Sequence, residues 1–269
     1  MTHATSPGAP PIALTIAGSD SGGGAGIQAD LATFARLGVF GTSAITAVTA
    51  QNTVGVHSWE PVSVELVRAQ VDAVASDLRP SAIKSGMLGS APVARAVAEA
   101  IRAHSLYPYV LDPVLVATSG DRLLDTDALR VLIDELVPLC AMVTPNLHEA
   151  AALVDGEVRT PEQMEGAARR LVEELGASAA LVKGGHLDDD RLVDVLFDGS
   201  AIRRFEHARI VTRATHGTGC VLSAGIAACL ARGATLHEAV ERAIAHLLRA
   251  LDTAPAIGTG HGPAIAGGG

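Results

Sequence analysis

The chain predicts an α/β domain with a mainly parallel central sheet and helices on both faces. Three observations carry that expectation. Short apolar runs alternate with helical patterns along most of the 269 residues. Hydrophobic residues make up 48% of the chain but aromatics only 3%, so the core is built from small aliphatic side chains that let helices sit closely on a sheet. No internal repeat or linker-like stretch interrupts the middle, and this length suits one large domain. The domain is expected over residues 12–263, with loose tails at 1–11 and 264–269.

The elements follow in order. Residues 12–17 form an unbroken apolar run, a buried strand. Residues 26–37 read as a helix that stops at Gly38, and 43–48 as a second strand. Residues 63–78 place Val64, Val67, Val71, Val74 and Leu78 on one helical face, with Ser63 as N-cap. A short strand at 82–84 precedes a helix to about His104, whose start is marked by Ser90 and Pro92. A strand at 109–112 ends at an acid. A helix at 127–136 and a strand at 141–144, stopped by Pro145, come next. Thr160, Pro161 and Gln163 open a helix that runs to Leu175. A strand at 180–183 is followed by a hairpin, 192–197 with 201–206, around Asp198–Gly199. Helices at 220–231 and 236–251 close the domain.

Composition narrows the function. The net charge of −9 argues against nucleic acid as a partner. Backbone amides and helix dipoles still bind phosphate without a basic surface. Three cysteines, Cys140, Cys220 and Cys229, with no CxxC pair, give neither a disulfide framework nor a zinc ribbon. No basic-then-apolar leader opens the chain, and charges punctuate every apolar run. A cytoplasmic protein with no membrane partner is expected.

Ligands of parallel α/β sheets bind at the carboxyl ends of the strands. Asp20, Gln51, Asp112, Asn146 and Lys183 all fall at or just after a strand end, so they should converge on one edge. Three motifs join them. The first, Gly18 to Asp30 (GSDSGGGAGIQAD), is a glycine-rich strand-to-helix loop that fits neither GxGxxG nor a P-loop. Asp30 lies one turn into the helix. It either complements the helix dipole or accepts a hydrogen bond from a substrate hydroxyl. The second, Thr215-His216-Gly217-Thr218-Gly219-Cys220, runs directly into an apolar helix. Free amides at that helix mouth make an anion site suited to a transferring phosphoryl group. There the dipole is expected to lower the Cys220 thiol pKa, so that a thiolate can take a hydroxyl proton. The plainer alternative is a small buried cysteine that begins a helix.

The third set is Asp112, the run TPNLHE (144–149), and the run KGGH that begins at Lys183. Asp112 and Glu149 are candidate magnesium ligands, acting largely through water. Lys183 is a candidate point charge on nucleotide phosphates. Taken singly, a strand-end acid, a first-turn acid and a solvated lysine explain them as well. The flat head of Gln51 matches the edge of an aminopyrimidine. Met87 and Val114 are either walls for a flat ring or ordinary core residues.

These phrases together resemble hydroxymethylpyrimidine/phosphomethylpyrimidine kinase, of the ribokinase-like superfamily. The likeness runs from about Ile12 to Pro263. It rests on LTIAGSDSGGGAGIQADLATF, TAVTAQNTVGV, KSGMLGS, LDPVLVATSGDRLL, TPNLHEA, LVKGGH and THGTGC. It implies a three-layer sandwich, a homodimer, and two successive ATP-dependent, magnesium-assisted phosphoryl transfers on the thiamin pathway. The first takes the alcohol of 4-amino-5-hydroxymethyl-2-methylpyrimidine, the second the resulting monophosphate. It also implies that Gln51 reads the pyrimidine, with Gly18, Asp30, Met87 and Val114 around it. Cys220 would be the base, residues 217–220 the anion hole, and Asn146, Lys183 and Thr215 would face the nucleotide, with Asp112 and Glu149 toward the metal. The first loop carries one glycine more than many members do, which should loosen it. Pyridoxal or pyridoxine kinase is the nearest rival reading. A non-catalytic pyrimidine sensor is the rival from another class.

Overall fold

The computed structural model describes residues 8–115, 126–185 and 191–265. Outside them lie the expected N-terminal tail as far as residue 7, the chain beyond residue 265, the later part of the LDPVLVATSGDRLL phrase, and His186.

Nine strands form one sheet: β1 (Ile12–Ser19), β2 (Phe40–Gln51), β3 (Val56–Pro61), β4 (Ala82–Ser85), β5 (Tyr109–Leu111), β6 (Met142–Val143), β7 (Ala180–Val182), β8 (Arg191–Phe197) and β9 (Ile202–Ala208). Their spatial order is β3-β2-β1-β4-β5-β6-β7-β8-β9. From β2 to β7 every pairing is parallel. β3, β8 and β9 add antiparallel edges. The chain moves from β1 outward to β2, then returns to β4 on the other side of β1. That reversal opens a crevice at the carboxyl ends of β1 and β4.

Alternation along β1 divides the core. Leu14 and Ile16 point into one apolar cluster and Ala13 into another. The first cluster is covered by α2 (Val64–Asp77), α3 (Ala91–His104), α4 (Thr126–Val131), α5 (Leu147–Leu153) and α6 (Pro161–Glu173). The second is covered by α1 (Gly26–Arg36), α7 (Thr218–Ala231) and α8 (Leu236–Thr253). Helix starts are chemically marked. Ser63 caps α2 by accepting from the Leu66 amide, and Thr160 with Gln163 closes a capping box on α6. α7 is apolar all round because it lies between the sheet and α8, so no polar face survives.

Four local features depart from the sequence expectation. β3 was not expected: five of its six residues are exposed, and it lacks an apolar run. α5 was not expected either, since seven residues leave little periodicity. The helix expected at 127–136 is α4 followed by a π-helical turn at Leu132–Leu136. Ala264, placed in the C-terminal tail by sequence, is fully buried against Ala29 and Val221. Among the described residues, no helix is long and apolar enough to cross a membrane.

Candidate active site

At the carboxyl ends of the parallel strands lies a cleft of about 830 Å³. Strand ends and the loops after them supply its walls, as the topology requires. Gly18, Gln51, Met87, Asp112, Val114, Asn146, Glu149, Lys183, Thr215, Gly217, Thr218, Gly219 and Cys220 all line it.

One half is flat-walled and lightly polar. β2 ends at Gln51, which places the carboxamide at the rim beside Thr49 and His216. Gly18 lies against Met87: a Cβ on Gly18 would come within 3.2 Å of the Met87 sulfur. The first loop is organised by Asp20. Its carboxylate accepts from the amides of Gly22 (2.7 Å), Gly24 (3.0 Å) and Ala25 (2.8 Å), and lies 2.8 Å from His216 Nε2.

The mouth of α7 separates this half from the other. Gly217 caps the helix in the left-handed region, φ 77°. A Cβ there would overlap the Gly24 carbonyl oxygen, so the two glycine loops touch backbone to backbone. The amides of Thr218, Gly219 and Cys220 have no intrahelical acceptor, and the mouth they form opens on the cleft.

The far half is charged. Lys183 Nζ lies 3.0 Å from Asp112 and 4.0 Å from Glu149. Asp112 also accepts from Ser223 Oγ at 3.1 Å. Burial alone would raise the Asp112 pKa, but Lys183 and Lys84 outweigh it and hold the group below the ordinary carboxylate range. Glu149 goes the other way. Burial pushes it up to about 7, Lys183 opposes, and the Asp112 charge adds to the rise. Asn146 and Glu149 form the capping box of α5, so each has a structural task besides facing the cleft. Thr215 Oγ1 is 2.9 Å from His261 Nδ1.

Two expectations are corrected. Asp30 does not line the cleft. Its carboxylate is fully buried, accepts from Thr15 at 2.6 Å, and pairs with Lys84 at 2.8 Å, which leaves it no reach to a substrate hydroxyl. The Cys220 thiol is not lowered by the helix mouth. Burial pushes it up to about 11; Lys84 pulls it down, Asp30 and Asp112 push it further up, and the Gly26 amide opposes them. Loss of water is the largest of these effects and sets the direction.

Lys84 is the functional candidate the sequence reading passed over. It sits in β4, fully buried, yet lines the cleft floor. Burial would lower its pKa, but Asp30, Cys220 and Asp112 more than offset that and keep it an ammonium. A lysine inside the short run AIKS was the available signal, because a buried strand carries a charge only where a partner waits. His216 was visible only as part of its motif.

A family model described as phosphomethylpyrimidine kinase matches residues 20–265. The chain belongs to that family. It is 52% identical over 254 residues to a hydroxymethylpyrimidine/phosphomethylpyrimidine kinase of Rhizobium meliloti, with 94% of this chain and 95% of the relative covered. The Bacillus subtilis kinase of the same name is 46% identical, with 93% of each covered. Among solved structures, a phosphomethylpyrimidine kinase of Clostridium difficile superposes with a TM-score of 0.78 at 37% identity, covering 87% of this chain and 96% of that one. The pyridoxal kinase of Staphylococcus aureus in complex with pyridoxal gives 0.88 at 33% identity, with 95% and 93% covered. The family is a kinase family with a ribokinase-like fold.

Proposed function

We propose that this protein phosphorylates 4-amino-5-hydroxymethyl-2-methylpyrimidine with ATP and then phosphorylates the monophosphate to the diphosphate. The observation that carries the reading is the position of the α7 mouth. Its amides face a cleft with Gln51 on one side and Lys183 on the other, and Cys220 stands between them. The pyrimidine ring lies between Met87 and Val114 with its polar edge on Gln51. The amides of residues 218–220 hold the oxygens of the transferring phosphoryl group, whose charge spreads during transfer.

Asp112 and Glu149 fit a magnesium ion that arrives with the nucleotide. Both are buried oxygen donors beside a lysine, and no group of three or more His, Cys, Asp or Glu suited to a metal occurs among the described residues. Two carboxylates are the protein's share when phosphates and waters complete the shell. Such an ion neutralises phosphate charge when bound. Lys183 balances the two carboxylates and adds a point charge for the phosphates.

Cys220 is the proposed base for the alcohol. A thiol near 11 is mostly protonated at neutral pH, so only the small thiolate fraction can take the alcohol proton, becoming the thiol as the oxygen bonds to phosphorus. Lys84 stabilises the thiolate before it takes the proton. The second transfer needs no base, because its nucleophile is already a phosphate oxygen. We also place the protein in the cytoplasm and assign a homodimer contact to the β3 edge, where Val48, Val54 and Trp59 are exposed.

The deciding experiment is mass analysis of products after incubation with Mg–ATP and the hydroxymethylpyrimidine. Sequential mono- and diphosphate is expected; no phosphorylated pyrimidine would overturn the assignment. Pyridoxal kinase is the second reading, favoured by the Staphylococcus aureus neighbour. Comparing kcat/KM for the two alcohols separates them, with the pyrimidine expected to win.

A further inference from the structure

We infer that His216 is a positioning residue that fixes which way round the Gln51 carboxamide faces the ring, and so helps set ring specificity. The inference rests on the reading of Gln51 as the group that recognises the pyrimidine.

Three backbone amides and His216 converge on the Asp20 carboxylate. A carboxylate so supplied with donors is ionised and has no proton to give. The proton in the 2.8 Å contact between Asp20 Oδ2 and His216 Nε2 therefore belongs to the imidazole. A ring nitrogen that carries hydrogen cannot accept another. Yet the Gln51 atom 3.1 Å from it is the one placed as Nε2. Two N–H groups cannot point at each other, so the Gln51 oxygen must occupy that end, sharing the one Nε2 hydrogen with Asp20 as the weaker arm of a three-centre bond.

The opposite end of the amide leads to the same answer. The atom placed as Oε1 is 3.4 Å from Thr49 Oγ1. Thr49 has one hydroxyl hydrogen, and it goes to the Ser19 carbonyl at 2.8 Å. Only lone pairs remain for Gln51, and they call for its NH2. The two ends of an amide are told apart by their partners, and both partners here require the same reversal.

His216 is held firmly enough to impose this. A Cβ on Gly24 would come within 2.5 Å of the His216 ring, so the ring lies flush against that backbone. The His216 amide donates to Gly262 O at 3.0 Å, and its carbonyl accepts from the Ala264 amide at 2.9 Å. With one lone pair directed to His216 and one N–H to Thr49, Gln51 keeps one acceptor and one donor for a ligand, in fixed order. A 4-aminopyrimidine edge, an amino donor beside a ring nitrogen acceptor, has an order that can match. Pyridoxal has no amino group beside its ring nitrogen, and its ring hydroxyl is not adjacent to that nitrogen, so it does not offer the same pair.

The test uses the full chain and two variants. His216→Phe keeps a flat ring and removes the donor; His216→Gln returns an N–H near the place of Nε2. The expected result for His216→Phe is a rise of about tenfold or more in KM for the pyrimidine and in its calorimetric Kd without ATP. KM for ATP should stay within about twofold, and the preference for the pyrimidine over pyridoxal should narrow. His216→Gln should recover most of the loss. Unchanged pyrimidine affinity in His216→Phe overturns the inference, as does equal weakening of both substrates, or a His216→Gln variant no better than His216→Phe. If His216→Phe does not fold, the wild-type Gln51 side-chain amide decides by nuclear Overhauser contacts: NH2 protons near Thr49 support the inference, and NH2 protons near the His216 ring overturn it. Gln51→Ala separates the two layers. An unchanged pyrimidine KM there sinks the ring-reading role itself, whereas a raised one beside a silent His216→Phe sinks only the role of His216.

Discussion

A thiol at a helix mouth with a lysine nearby would ordinarily ionise easily, and Cys220 does not. Burial removes water from the thiolate and outweighs the pull of Lys84, while Asp30 and Asp112 add to the rise. Two expectations follow at the scale of this residue. Cys220→Ala should slow the first phosphorylation by roughly 10²–10⁴-fold, the range of a lost general base, and the second by far less. Separate assays of the two steps check this, and equal losses would remove Cys220 from the role of base. The pH dependence has a definite sign. The thiolate fraction grows about tenfold per unit below the thiol pKa, so first-step kcat/KM should climb from pH 7 to 9 while the second step stays flatter. That slope should vanish in Cys220→Ala. Lys84 is tied to the same chemistry through Asp30. Lys84→Met leaves a buried carboxylate unpaired and should cost about 3–5 kcal/mol of stability. Adding Asp30→Asn removes the stranded charge. The double variant should regain much of the lost stability, measured by urea unfolding, yet remain poor in the first step.

At the scale of elements, the mouth of α7 matters most, because the proposed function asks one helix end to serve both transfers. Gly217→Ala adds a methyl where the Gly24 carbonyl already sits, in a left-handed conformation that alanine resists. Both steps should fall together by about 10²-fold or more, with a raised KM for ATP; a loss confined to the first step would mean the amides do not hold the phosphoryl group. Much of this element was legible in sequence. THGTGC before an apolar run can scarcely be anything but a glycine-lined helix start, and the strand-end positions of Asp112 and Lys183 follow from period and punctuation. β3 was illegible because an exposed edge strand needs no apolar residues, and His57, Ser58 and Glu60 gave none. Asp30 misled for a different reason. A helix-start acid looks the same whether it faces a ligand or a lysine from another strand, and Lys84 is 54 residues away in sequence. The direction of the Cys220 shift was hidden likewise: it depends first on burial, which only the fold creates, and then on two carboxylates distant in sequence.

At the scale of the molecule, the site is closed by the far ends of the chain. The first loop follows β1, the turn proposed to be catalytic begins near residue 215, and the segment at 258–264 binds them together. The His261 amide donates to Thr53 O at 2.8 Å, the Gly262 amide to Arg213 O at 2.9 Å, and the Ala264 amide to His216 O at 2.9 Å. Ala264 itself fills a small apolar pocket between α1 and α7. The half of the cleft proposed to hold the pyrimidine is therefore braced by the end of the expected domain, His261 and Gly262, and by Ala264, which sequence placed in the tail. Removing residues 261–269 should leave the sheet and both cores intact but free the turn that carries His216. A weakening of about tenfold or more in pyrimidine binding is expected, with a drop of several degrees in Tm, since each lost kcal/mol moves a domain of this size by about 2–4 °C. Ala264→Glu tests the same brace without shortening the chain, because a carboxylate cannot be buried there without a partner. Calorimetric titration with the pyrimidine is the measurement. If both altered proteins bind it as tightly as the intact chain, the C-terminal segment is packing alone and the pyrimidine half holds its shape without it.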